Sequence, residues 1–314
     1  MKKYVLDLVL RRTTQPRPGY VLLQLTDPAR PLPPMQPGQF VEVRVDGSPS
    51  TFLRRPISIN FVDRQANELW LLVHVVGEGT RALSLLQEGA TLNVVLPLGK
   101  GFTLPEASEV SELSEVSAAS EVSAASEASA ALEVSAAPAR YLLVGGGVGA
   151  APLLYMGQQV VARGGRVTFL LGGRTASDLM QLDLFRQFGE VYLTTEDGSA
   201  GEKGFVTQHS LWAFPAAASV GSAAASVGST AASVGSTAAA PFTRICTCGP
   251  KPMMAAVARL AREKGVPCEA SLENLMACGL GACLCCVENT VDGHLCVCQE
   301  GPVFDTARLK WKLH

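Results

Sequence analysis

The chain has 314 residues, 47% of them apolar, and a formal net charge of -2. That length predicts two or three domains with real cores, and a near-neutral balance without a basic cluster gives no reason to expect nucleic acid as a partner. No uninterrupted apolar run approaches the roughly 18 residues of a membrane span, and Met1-Lys2-Lys3 leads into an alternating pattern instead of a signal segment, so a soluble, cytoplasmic protein is expected.

Residues 1–104 carry six short β-rich runs, at 4–10, 20–26, 39–45, 57–61, 69–76 and 91–96, separated by turns rich in Pro, Gly and Asp. With one helical stretch, 80–87, they predict a closed antiparallel six-stranded β-barrel. Leu53-Arg54-Arg55-Pro56-Ile57-Ser58 contains an R-x-x-S pattern, and Gly77-Glu78-Gly79-Thr80 opens the helix with a glycine turn whose N–H groups suit a phosphate. The R-x-x-S pattern resembles the flavin-binding strand of the ferredoxin reductase superfamily. That resemblance implies that Arg55 holds the FAD pyrophosphate, as a bidentate guanidinium suits, that Pro56 and Ile57 carry the strand on, and that Ser58 approaches the isoalloxazine ring. Gly79 and Thr80 offer the same pyrophosphate a second contact, and Leu72, Val73 and His74 line the flavin. Residues 97–102 resemble the turn that closes the superfamily's barrel. A lone His such as His74 is more often structural than catalytic, and hydride transfer to a flavin needs no general base.

Residues 105–139 shift abruptly into a near-repeat of Ser-Glu-Val-Ser-Ala-Ala, and residues 216–240 into an uncharged repeat built on Ala-Ser-Val-Gly-Ser-Thr. Both are expected to be low-complexity insertions without a packed core. Between and after them, residues 140–267 alternate strand and helix as an α/β parallel-sheet domain. The apolar run Tyr141-Leu142-Leu143-Val144 breaks into Gly145-Gly146-Gly147-Val148-Gly149, a strand-to-helix turn that lets dinucleotide phosphates approach the backbone. Cys248-Gly249-Pro250-Lys251-Pro252-Met253 carries the C-G-P-x-x-M pattern and resembles the NAD(P) domain of the same superfamily, which implies that Cys248, Gly249 and Pro250 line the nicotinamide pocket. Cys248 is then lining and not a covalent nucleophile. The second strand of this domain closes on Gly172-Gly173-Arg174 without an acidic residue, so the residues leave NAD and NADP both open.

The remaining residues, 268–314, form a small domain organised by cysteine. Cys278, Cys283 and Cys286 read C-x4-C-x2-C, the spacing with which plant-type ferredoxins hold a [2Fe–2S] cluster, and small residues at Gly279, Gly281 and Ala282 let the loop fold tightly. Structural zinc sites come instead as two C-x2-C-like pairs, and nine cysteines in a reducing compartment argue against disulfides. MACGLGAC followed by VCQEGPVF resembles the electron-transfer subunit of NAD-dependent, class B dihydroorotate dehydrogenases. The resemblance implies Cys298 as the fourth ligand and NAD as the nucleotide, and it leaves Cys246, Cys268, Cys285 and Cys296 as buried small hydrophobes. It also implies an FMN-containing catalytic subunit as partner in a heterotetramer of two of each chain, serving pyrimidine (UMP) biosynthesis. No constellation for a small organic substrate stands beyond these cofactors. An FAD/[2Fe–2S] NAD(P)H:acceptor oxidoreductase, taking ferredoxin or sulfide, and a redox-sensing regulatory subunit remain the alternatives.

Overall fold

The computed structural model describes residues 2–106, 138–216 and 241–311. The insertions expected at 105–139 and 216–240 lie almost wholly outside the described residues. The first unit is a curled antiparallel sheet of seven strands: β1 (Tyr4–Arg17), β2 (Tyr20–Thr26), β3 (Phe40–Val43), β4 (Arg55–Ser58), β5 (Phe61–Asp63), β6 (Glu68–His74) and β7 (Thr91–Leu98). They run in the order β4-β3-β7-β1-β2-β6-β5. Leu6, Leu8 and Leu10 from β1, Leu23 and Leu25 from β2, and Leu69, Leu71 and Val73 from β6 alternate into one core, as a pleat with one dry face requires.

A six-stranded closed barrel was expected from the alternation, and the outcome differs in two ways. The run at 57–61 is not one strand: Ile59 and Asn60 interrupt it, so β4 and β5 end up at opposite ends of the sheet order. Among the described residues no ladder joins β4 to β5, and the sheet is curled, not closed by pairing. The one helix beside it, α1 (Glu78–Ser84), begins two residues before the expected start at Thr80.

The second unit is a mixed sheet in the order β11-β10-β9-β8-β12-β13-β16, the last strand being Val303–Asp305. Its parallel strands are β8 (Arg140–Gly146), β9 (Arg166–Gly173), β10 (Glu190–Thr195), β11 (Glu202–Lys203), β12 (Arg244–Cys248) and β13 (Cys268–Ser271). The helices between them are α2 (Ala151–Val161), α3 (Leu182–Arg186) and α4 (Lys251–Glu263). The apolar run of β8 is buried on both faces, as a central parallel strand is. Helix α2 is apolar nearly all round because it is covered twice. One side lies on the sheet, and on the other Tyr155 enters the core of the curled antiparallel sheet and donates to the Met35 carbonyl at 3.0 Å. Asn60 adds a hydrogen bond to the Ala151 carbonyl at 2.9 Å, tying the β4–β5 break to the start of α2.

The last unit has the hairpin β14 (Val287–Thr290) and β15 (Gly293–Cys296), then α5 (Val297–Glu300). Strand β16 (Val303–Asp305) pairs antiparallel with β13, which sews this unit to the nucleotide-type sheet. Its core joins Cys286, Cys298 and Phe304 to Phe40 of β3 and Leu98 of β7, so it packs on the curled sheet as well. Among the described residues no helix is long and apolar enough to cross a membrane.

Candidate functional site

Arg55, Pro56, Ile57 and Ser58 make up β4, a half-buried strand at one end of the sheet order, where a proline removes no needed donor. The two adjacent arginines divide their work. Arg54 donates from Nη1 to the carbonyls of Glu42 at 3.2 Å and Asn93 at 2.9 Å, and from Nη2 to the Asn93 side chain. Among the described residues the Arg55 guanidinium makes only a 3.3 Å hydrogen bond to the Arg54 carbonyl. Its other donors remain for a ligand anion. Buried Gly79 lies directly against it: a Cβ there would stand 2.7 Å from Arg55 Nε. The Thr80 hydroxyl is folded back on its own turn, accepting from the Val76 N–H at 3.0 Å and the Gly77 N–H at 3.1 Å.

Of the three residues expected to line the flavin, two share a face. Leu72 borders a pocket with Gly147, Ala150, Leu171 and Gly172 of the nucleotide sheet. His74, two residues on, is exposed and stacks on Tyr20 with centroids 4.4 Å apart and planes within 3°. Its pKa is lowered, first by partial burial and then by Arg17 and Arg174. The side chain of Val73 points the other way, into the barrel core, so at that position the backbone alone faces the junction.

The dinucleotide-type crevice lies where strand order reverses, between the carboxyl ends of β8 and β12. Gly145 and Cys248 are register partners there. The loops that follow touch: a Cβ on Gly149 would come 2.5 Å from the Gly249 nitrogen, and Gly147 and Gly249 take φ of 56° and 150°. Only glycine fits so close an approach. Pro250 is exposed at the head of α4. The fully buried Cys248 thiol is pushed well above its ordinary value, chiefly by burial and then by Glu273, which keeps it protonated and unreactive. No acidic residue ends β9, and the carboxylate that stands a turn later is engaged within the protein. Asp178 accepts from the N–H groups of Arg174 and Thr175, both at 2.9 Å, and forms an ion pair with Arg17 of the barrel. Burial would raise its carboxyl, yet hydrogen bonds from Arg17 and Thr175 outweigh this and hold it below the usual carboxylate range. A search confined to the strand end misses Asp178; the capping signature Thr175-x-x-Asp178 was the available signal.

The cysteine loop turns twice through left-handed backbone, with φ of 64° at Gly279 and 81° at Gly281. The Leu280 N–H, between the two turns, donates to Cys278 Sγ at 3.3 Å, and from α5 the Cys298 N–H donates to Cys286 Sγ at 3.4 Å. The Cys278 thiol is lowered to about 6, first by the Leu280 N–H and further by Cys283 and Ala282. Cys298 is raised to about 12 by burial and by Cys286. Cys246 and Cys268 are buried as expected for small hydrophobes, but Cys285 is exposed and Cys296 half-buried. The reason is the left-handed turn at Leu284, φ 57°, which leaves residues 283–285 on the surface. The Cys296 thiol is raised, first by burial and then by Cys286, Glu300, Cys283 and Cys278.

Among the described residues no three side chains converge on a single-ion site. A two-iron cluster asks for something else, two thiolates on each of two irons with N–H donors toward sulfur, and the soft donors and inward N–H groups fit that demand. Glu42 escaped sequence reading. It is 1% exposed on β3, beside Gly279 of this loop, and a charged residue inside the buried run Phe40-Val41-Glu42-Val43 was the signal.

Residues 273–310 match the iron-sulfur cluster binding domain of dihydroorotate dehydrogenase B, and residues 143–259 match an oxidoreductase NAD-binding domain. The electron transfer subunit of dihydroorotate dehydrogenase B (NAD(+)) from Shouchella clausii is 34% identical over 277 residues, 86% of this chain and 84% of that one. The subunit of the same name from Fusobacterium nucleatum is 33% identical over 270 residues, 85% of this chain and 84% of that one. Among solved structures, an NADH-dependent reduced ferredoxin-NADP oxidoreductase superposes with a TM-score of 0.70 at 24% identity, covering 97% of this chain and 90% of that one. Phthalate dioxygenase reductase superposes at 0.53 with 19% identity, over 82% of this chain and 64% of that one. These two likenesses concern the ferredoxin-reductase-like fold. The chain belongs to the family of the electron transfer subunits of dihydroorotate dehydrogenase B (NAD(+)).

Proposed function

We propose that this chain is the oxidoreductase component that takes electrons from a dihydroorotate-oxidising catalytic subunit and delivers them to NAD+ in pyrimidine biosynthesis. When bound, FAD and a [2Fe–2S] cluster supply the exchange between one-electron transfer and two-electron hydride chemistry. Two contacts support the reading. Leu72 of the curled sheet shares a pocket with Gly147 and Gly172 of the second sheet, and Gly279 of the cysteine loop lies against Glu42 on the strand beside β4.

The residues then take these roles. Residues 1–104 bind FAD, with Arg55 on the pyrophosphate, Gly79 and Thr80 shaping the adjoining turn, Ser58 beside the ring, and Leu72 and His74 on the face toward the nucleotide. Residues 140–267 bind NAD, with Gly145, Gly147 and Gly149 admitting its phosphates and Cys248, Gly249 and Pro250 bordering the nicotinamide. Residues 268–314 hold the cluster through Cys278, Cys283, Cys286 and Cys298, while β13 and β16 also belong to the nucleotide sheet. The catalytic partner carries FMN, and two copies of each chain assemble. The side chains here hold and orient; no general acid or base is required of them.

The test is reconstitution. The isolated chain, loaded with flavin and iron–sulfur, reduces artificial acceptors with NADH and leaves dihydroorotate untouched. Adding an FMN-bearing catalytic subunit creates dihydroorotate-dependent NAD+ reduction. Dihydroorotate oxidation by the lone chain, or no gain on adding the partner, overturns the reading.

A further inference from the structure

Strand β3 has two faces. Val41 and Val43 point into the barrel core, whereas Phe40 packs with Cys286, Cys298 and Phe304 beneath the cysteine loop. Glu42 shares the face of Phe40, by the two-residue period of a strand. A bulge aims it: Phe40 pairs with Leu98 of β7, but Glu42 pairs with Val95, so β7 carries an extra residue opposite this segment. The side chain is 1% exposed, and neither carboxylate oxygen has a hydrogen-bond partner among the described residues. Of the two arginines whose charge reaches it, Arg54 spends its Nη1 on the Glu42 backbone carbonyl and on Asn93, and Arg55 makes its hydrogen bond to the Arg54 carbonyl. What the carboxylate does meet is the cysteine loop: a Cβ on Gly279 would stand 2.7 Å from Glu42 Cγ and 3.0 Å from Oε1.

A buried, unpaired carboxyl is costly, and a neutral side chain of the same volume would fill this space without that cost. The carboxyl therefore does nothing for packing that Gln or Leu would not do, and its consequence falls on the neighbour it faces. A negative charge in a low-dielectric site raises the energy of adding an electron nearby, and the reduction potential of an iron–sulfur site follows the charge and solvent exposure around it.

We propose that Glu42 is a positioning residue that holds the reduction potential of the group bound by the cysteine loop low, and so favours passing its electron onward to the flavin. This rests on the reading of that loop as a [2Fe–2S] site. Glu42 lies between the two redox sites, on the strand hydrogen-bonded to β4 and against the loop of Cys278.

The experiment compares wild type, Glu42→Gln, Glu42→Leu and Glu42→Asp in the fully loaded chain at pH 8, with iron and flavin content measured and the cluster potential followed by EPR during redox titration. Both neutral variants raise the midpoint, by about 59 mV for each tenfold change in a one-electron equilibrium. Glu42→Asp, which keeps the charge one methylene further back, shifts it less and in the same direction. Unchanged midpoints in the neutral variants overturn the proposal, as does a larger shift in Glu42→Asp than in Glu42→Gln, which would mark packing and not charge. A wild-type chain that shows no reduced-cluster signal removes the cluster reading itself, an outcome distinct from a normal signal with an unmoved variant.

Discussion

Gly79 lies directly against Arg55, and an added Cβ would stand 2.7 Å from the guanidinium Nε, so a side chain there displaces that arginine. A methyl group there pushes against the one arginine on β4 whose donors are largely unspent. Gly79→Ala is expected to weaken FAD binding by about tenfold or more, roughly 1.4 kcal/mol, measured by flavin fluorescence on release. Arg54→Ala behaves differently. It unties β3, β4 and β7 and costs about 1–3 kcal/mol of stability through buried acceptors left unmet, visible in a denaturant midpoint, with a smaller change in flavin affinity.

Single cysteine substitutions separate ligands from neighbours. Ala at Cys278, Cys283, Cys286 or Cys298 is expected to abolish the cluster, as read by visible absorbance and by EPR of the reduced protein. Cys285→Ala and Cys296→Ala retain it. Cys296 is the sharper test, since its thiol shares the field of Cys286 and Cys283; a full cluster in Cys298→Ala would transfer the fourth position to it.

Gly149→Ala closes the nucleotide crevice, because the new methyl meets the Gly249 backbone and no side-chain rotation relieves it. The expected result is a rise of about tenfold or more in KM for NADH, with flavin and iron content at wild-type levels. An unchanged KM would place the nucleotide elsewhere.

The ion pair of Arg17 with Asp178 joins the barrel to the loop after β9. Because the folded-state carboxyl lies below its ordinary value near 3.8, the group stabilises the fold at pH values above that ordinary value. The contribution is lost as pH falls through the lower, folded-state value. Thermal melting of wild type and Asp178→Asn should therefore differ by a steady gap from pH 7 down to about pH 4 and converge only as pH falls further, through the folded-state value. A gap that closes between pH 7 and about pH 5, or one that persists undiminished in strong acid, would contradict the linkage.

Leu275, Leu280 and Leu284 on the cysteine loop are 87%, 47% and 64% exposed, a cluster of apolar side chains beside the thiols. Exposed apolar groups of this kind suit a partner surface. Leu280→Asp or Leu284→Asp is expected to weaken dihydroorotate-dependent NAD+ reduction in the reconstituted complex while NADH-to-dye reduction by the chain alone is spared. Equal loss in both assays would show damage to the loop itself.

The features legible in the amino-acid sequence are those carried by neighbouring residues. Alternating Leu6, Leu8 and Leu10 state a one-faced strand, the glycines from Gly145 to Gly149 state a close backbone approach, and Cys278, Cys283 and Cys286 state a sulfur-lined loop, because each pattern fits within one or two turns of chain. The family followed from such local motifs read together. What tertiary structure alone decided was convergence and direction. It split the run at 57–61 because Asn60 turns aside to bind the start of α2, it faced Leu72 toward the nucleotide sheet and Val73 away, and it spent Arg54 on Asn93 while leaving Arg55. It also brought Asp178 to Arg17 and Glu42 to Gly279. Those pairs are far apart in the chain, and no local pattern encodes which buried charge will meet which loop. That is settled only when two cores pack and the desolvation of a carboxylate has to be met by whatever stands opposite.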